Sequence, residues 1–224
     1  MIDYKLYLIR HGLTQGNLDG QYIGVTDLPL CREGERQLRK LKKLFVYPDV
    51  QAAYVPPFRR YQGTASILYP GAAQRPAEGL GEYDFGIFEG RRAEELKDFP
   101  AFRRWMADAM RTAPEGGEAP QDFTARCEAG FLAVVEDMMR SRITSAALIL
   151  SGGVMMNLLA THAYPRQEPI YWKSEPGTGY TALITPQVWH RGQVLEAFNP
   201  VPYRKNDQND SEPFVRFDLE EEEE

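Results

Sequence analysis

Cysteine is nearly absent from this 224-residue chain: Cys31 and Cys127 stand far apart and match no metal or redox spacing. That pattern excludes a disulfide framework and fits a reducing compartment, so the cytoplasm is the expected location. Histidine is as scarce, with three residues, and no cluster of aspartates points to a metal, so neither metal nor cofactor is expected. Long apolar runs are missing too. Nothing approaches the roughly 20 apolar residues of a membrane span, and the opening MIDYKLYLIR lacks the basic-then-apolar order of a secretory signal. No membrane partner is expected.

A basic excess is also lacking. The formal net charge is −6, but nine acidic and only three basic residues fall from Val201 onward, so residues 1–200 are formally neutral. A neutral body is a poor electrostatic partner for nucleic acid, and none is expected. The acidity sits in a tail, residues 201–224, that ends in five glutamates and is expected to be solvated and partly disordered. What is present is ordinary for a globular protein: 43% hydrophobic and 26% charged residues, enough chain for one domain over residues 1–200. A monomer or homodimer is expected.

The apolar run Lys5–Ile9 reads as a strand, and Leu38, Leu41, Leu44 and Phe45 recur at helical spacing after Glu33, with Cys31 in the capping place. Ala52–Val55 reads as a second strand, stopped by Pro56-Pro57. A helix is expected over Arg60–Leu68, one or two short helices between Arg91 and Met110, and a loop at Ala113–Gly117. Phe123, Cys127, Phe131, Val134, Val135 and Met138 mark one face of a long amphipathic helix. It leads to a strand at Ala146–Leu150 and a helix from Val154 to about His162. Gly179–Ile184 and Val194–Phe198 read as closing strands around a loop, Thr185–Gly192. Apolar strands alternating with helices predict an α/β fold, a mainly parallel sheet covered on both faces in three layers, α/β/α.

Directly after the first strand stands Arg10-His11-Gly12-Leu13-Thr14-Gln15-Gly16-Asn17. The carboxyl end of a strand is where open α/β sheets bind ligands. Glycine beside histidine leaves the imidazole approachable, and arginine offers a planar fork of donors suited to phosphate. The segment resembles the Arg-His-Gly-x-Thr-x-x-Asn pattern of the histidine phosphatase, or phosphoglycerate mutase-like, superfamily. The likeness continues through Gly20–Leu38 and through Pro57–Ala65, where Arg60 matches a second phosphate-binding arginine. It extends to Gly81–Gly90, where Glu82 matches the proton donor, with Glu78, Asp84 and Glu89 as neighbouring alternatives.

The resemblance implies a phosphoglycerate mutase-like fold and a phosphomonoesterase that uses no metal. His11 would attack phosphorus, Arg10 and Arg60 would clamp the phosphoryl oxygens, and Glu82 would handle the leaving group's proton. Thr14, Asn17, Ile23, Gly24 and Gly152 are the expected substrate contacts. The expected partner is a small phosphorylated metabolite or inorganic phosphate. The segment Glu82–Gly90 is closer to phosphatases of the α-ribazole-phosphate type than to glycolytic mutases. One departure stands out: Ser151, in Leu150-Ser151-Gly152-Gly153-Val154, falls where the family carries a second histidine. Neither His162 nor His190 lies at a strand-to-helix turn. A weakened enzyme, a phosphate-binding protein without turnover and an introduced substitution all remain open at this point.

Overall fold

Alternation along the strands sets the architecture. In the computed structural model, which describes residues 2–108 and 111–204, the first strand, β1 (Tyr4–Arg10), turns Leu6 and Leu8 to one face and Tyr7 and Ile9 to the other. Both sets are buried, because helices cover both faces. The chain continues through α1 (Gln15–Leu18), α2 (Arg32–Leu44), β2 (Phe45–Val46), β3 (Ala52–Val55), α3 (Arg59–Leu68) and β4 (Ala73–Pro76). Then come α4 (Ala93–Leu96), α5 (Pro100–Ala107), α6 (Pro120–Ser141), β5 (Ser145–Leu150), α7 (Gly152–His162) and β6 (Ala163–Tyr164). The last elements are β7 (Gly179–Ile184), α8 (Pro186–Gly192), β8 (Leu195–Val201) and β9 (Tyr203–Arg204).

The main sheet has the order β4-β3-β5-β1-β7-β8-β6. Strands β4, β3, β5 and β1 run parallel, and β7 enters antiparallel to β1. One core packs α6 and α7 on the face of Leu6, Leu8, Leu148 and Leu150; the other packs α2 and α3 on the face of Tyr7, Ile9, Val55 and Ile149. The expected three-layer arrangement is therefore the observed one. A third cluster, around Phe88, Phe102 and Trp105, joins α4 and α5 to the segment after β4.

Three features differ from the sequence reading. The expected loop at 185–192 is helix α8: Pro186 starts it with a preset φ, and Trp189 anchors it by packing on Phe131 and His162. Strand β4, Ala-Gln-Arg-Pro, is a mostly exposed edge with no apolar alternation, so it carried no signal. The expected tail begins inside the fold, since Val201 is buried in β8 and β9 pairs with β2. Its remainder lies outside the described residues.

Candidate active site

Parallel strands present their carboxyl ends on one edge, and here three of them deliver the predicted residues. Arg10 pairs with Leu150 in the β1–β5 ladder, so the next residues, His11 and Ser151, emerge side by side. The His11 N–H donates to the Leu150 carbonyl at 2.8 Å. Strand β3 ends at Pro56-Pro57 and leads into α3, which places Arg60 in its first turn. Glu82 arrives from the segment beyond β4 and lies against the start of α7: a Cβ at Gly153 would sit 2.7 Å from its Oε1.

His11 is 7% exposed, and its Nδ1 lies 2.7 Å from the Gly12 carbonyl. A carbonyl can only accept, so Nδ1 carries the hydrogen and Nε2 keeps its lone pair. Thr64 fixes this turn: its hydroxyl accepts from the Gly12 N–H at 3.0 Å and donates to the Arg60 carbonyl at 2.7 Å. Burial drives the His11 pKa down to about 3, against the Gly12 bond that favours protonation, and Arg60 and Arg10 push it the same way as burial. The imidazole is neutral over the physiological range.

This has a consequence for stability. Folded His11 stays neutral until about pH 3, whereas the unfolded chain takes up its proton below the ordinary value of 6.5. Between those limits the unfolded state binds more protons, so stability is lost as pH falls, by up to about 1.4 kcal/mol per pH unit. Urea unfolding in phosphate-free buffer at pH 7 and pH 4.5 should show the parent losing roughly 2–3 kcal/mol more than His11→Gln. Equal losses would mean that His11 titrates as an exposed histidine.

Both arginines are held by carbonyls. Arg10 Nη1 donates to the Ser174 carbonyl at 2.6 Å, while its buried Nε has no hydrogen-bond partner and lies over Gly152. Burial lowers its pKa, and the charges of Glu175 and Glu82 oppose that. Arg60, 1% exposed, donates to the carbonyls of Gly24 at 2.6 Å and Thr26 at 3.0 Å. Its guanidinium also stands over the rings of Phe58 and Tyr61. Among the described residues neither arginine forms an ion pair with a carboxylate. The half-buried Arg10, the buried Arg60 and the N-terminus of the 11-residue helix α7 therefore converge beside the Glu82 carboxylate.

The neighbouring carboxylates separate by what they touch. Glu89 accepts from the N–H groups of Gly24, Val25, Thr26 and Phe85 and from the Thr26 hydroxyl, which makes it the tie of the 24–26 loop. Asp84 accepts from Gly86 N–H in its own turn, and Glu78 is exposed. Glu82, whose Oε1 accepts from the Tyr83 N–H at 2.9 Å, is the one of these four that lies against α7. Of the expected substrate contacts, Gly152 opens α7 beside Arg10. Thr14 and Asn17 bond each other as the capping box of α1. Ile23 packs on Gly16, and Gly24 has its N–H on Glu89 and its carbonyl on Arg60.

His162 is buried between Glu128 and the Gln193 carbonyl at the far end of α7, about 16 Å from Ser151 at helical rise. His190 belongs to α8 and contacts the Pro186 carbonyl. The residues that the sequence reading did not assign are Tyr61, Thr64, Ser174 and Glu89 as the loop tie. Thr64 and Tyr61 lie within the Pro57–Ala65 segment; Ser174, 164 positions from Arg10, gave no local signal. Among the described residues, no three His, Cys, Asp or Glu are grouped to hold a metal, and no helix is long and apolar enough to cross a membrane.

Comparison with known proteins gives a consistent picture. A family model described as the histidine phosphatase superfamily (branch 1) matches residues 6–200. The adenosylcobalamin/alpha-ribazole phosphatase of Escherichia coli (strain K12) is 33% identical over 129 residues, 55% of this chain and 63% of the relative, so the match spans just under two thirds of that relative's length. The crystal structure of the alpha-ribazole phosphatase from Shigella flexneri superposes with a TM-score of 0.72 at 25% identity, covering 85% of this chain and 93% of that one. The phosphoglycerate mutase of Bacillus anthracis str. Sterne, at 16% identity, shares the fold with a TM-score of 0.70 over 88% of this chain and 92% of its own.

Proposed function

This chain belongs to the histidine phosphatase superfamily, and from that premise we propose that it is a metal-independent phosphomonoesterase of small phosphorylated metabolites, working through a phosphohistidine on His11. The observation that carries the reading is the His11 imidazole, buried and neutral with Nδ1–H committed to Gly12, which leaves Nε2 as nucleophile beside two arginines without carboxylate partners.

Nε2 attacks phosphorus as the phosphorus–oxygen ester bond breaks, and the Glu82 carboxyl gives its proton to the leaving oxygen. The phosphorylated ring is then positively charged, and the Gly12 carbonyl stabilises it through Nδ1–H. Water next attacks phosphorus, Glu82 takes the water's proton, and the phosphorus–nitrogen bond breaks to return neutral His11. Arg10, Arg60 and the α7 amides offset charge on the equatorial oxygens, as preorganised donors do in water-poor sites. Ser151 brings a neutral hydroxyl where the resemblance implies a charged imidazole, so turnover is expected below that of an enzyme with both histidines. Hydrolysis is favoured over a mutase by the Glu82–Gly90 segment and by the named phosphatase relatives.

The test is to mix the protein with p-nitrophenyl phosphate, quench in base and locate the phosphoryl group by mass spectrometry, with Glu82→Gln included to slow the second step. Phosphohistidine on His11 and steady release of nitrophenol are the expected results. Phosphate binding without turnover or modification would make the chain a phosphate-ligand binder instead.

A further inference from the structure

A second hydroxyl stands at the Ser151 wall, and the chemistry above leaves it unused. Tyr61 follows Arg60 in α3 and is wholly buried. The edge of its ring meets His11, with centroids 5.3 Å apart, and Arg60 Cζ lies 4.7 Å over its face. Arg60 Nη2 donates to its phenolic oxygen at 3.3 Å. Burial raises the phenol's pKa above its ordinary value; the Arg60 charge opposes that, the Glu82 charge adds to it, and the nearby Ser151 side chain lowers it. Ser151, 2% exposed, accepts from the Val154 N–H at 3.4 Å.

Hydrogens can be counted here. Each hydroxyl owns one hydrogen, and each oxygen already accepts from nitrogen: Tyr61 from Arg60, Ser151 from Val154. Even where one hydroxyl donates to the other, one hydrogen remains, and among the described hydrogen bonds neither hydroxyl gives it to a protein acceptor. A buried hydroxyl without an acceptor is costly, and between two arginines and a helix N-terminus the acceptor that fits is an anionic oxygen.

We propose that Tyr61 and Ser151 act together as a hydroxyl pair that donates this hydrogen to the transferring phosphoryl group, supplying from Tyr61 part of what a second imidazole at position 151 would supply. The inference rests on the phosphomonoesterase reading above. Its physical content is reach and acidity. The phenol extends further from the backbone than serine, and its more acidic O–H is the stronger donor. The Arg60 contact on its oxygen polarises it further.

Tyr61→Phe removes one oxygen and keeps the ring against His11. With p-nitrophenyl phosphate, kcat is expected to fall about 10- to 100-fold while KM changes less than about threefold. In a Ser151→His background the imidazole donates directly, and Tyr61→Phe should then cost less than about threefold. Orthovanadate, which takes the transition-state geometry, should bind about tenfold more weakly to Tyr61→Phe, inorganic phosphate less so. Parental kcat and vanadate affinity in Tyr61→Phe would overturn the proposal, and so would an equal kcat loss in both backgrounds, which marks a packing role. If the parent neither turns over substrate nor forms phosphohistidine, the phosphomonoesterase reading fails by itself; vanadate affinity still decides for or against Tyr61.

Discussion

His11→Gln is expected to lower kcat/KM for p-nitrophenyl phosphate by at least about 10⁴-fold, the scale seen when a nucleophile is removed from a site whose parts act as a unit. Glutamine fits the same buried volume, and its amide N–H can keep the bond to the Gly12 carbonyl. What it lacks is the Nε2 lone pair. Arg10, Arg60 and the start of α7 are untouched, so inorganic phosphate should still raise the melting temperature of the variant. The pairing of lost turnover with retained anion binding separates loss of the nucleophile from loss of the pocket. More than about 1% of parental turnover in the variant would remove His11 from the nucleophile's role.

Arg60→Lys is the second large effect. The guanidinium is 1% exposed, and it satisfies the Gly24 and Thr26 carbonyls and the Tyr61 oxygen at once. An ammonium is a compact point charge and cannot span that set, so at least one buried acceptor loses its partner, at a cost of roughly 1–3 kcal/mol. The activity loss has a separate origin. Without the planar fork the 24–26 loop loses two of its hydrogen bonds to α3 and the phosphoryl group loses an aligned donor, for which about 10²–10³ in kcat is expected. Phosphate at one hundred times its dissociation constant stabilises the parent by about 2.7 kcal/mol. Most of that gain should vanish in Arg60→Lys. Parental kcat together with a parental phosphate shift, measured well below the melting temperature, would place Arg60 outside the anion site.

The legible part of this protein follows local rules. Strand β3 was read to the residue, because a short apolar run ended by two prolines leaves the backbone few alternatives. The start of α2 was read from a capping place that Cys31 fills, its sulfur accepting from Gly34 N–H. Helix α8 was missed because its stabilisation is tertiary: about two turns around Trp189 are too short to announce themselves. The preference for Glu82 over Glu78, Asp84 and Glu89 came from register to the family's Phe-Gly pair; the structure adds that Glu89 is taken up by loop amides while Glu82 lies against α7.

By itself the sequence determined the α/β layering, because periodicity and glycine or proline turns act through near neighbours in the chain, while its resemblance to the family's ordered segments singled out Arg10, His11, Arg60 and Glu82. Only the tertiary structure decided the state of those groups. The tautomer of His11 comes from a carbonyl, its neutrality from burial, and the partners of Arg10 and Arg60 from segments distant in sequence. The nearness of Tyr61 to Ser151 belongs to the same class: 90 positions separate them along the chain, and they come together because β3 and β5 are neighbours in the sheet. Protonation and hydrogen-bond satisfaction are properties of a surrounding volume, and that volume exists only after the chain has folded.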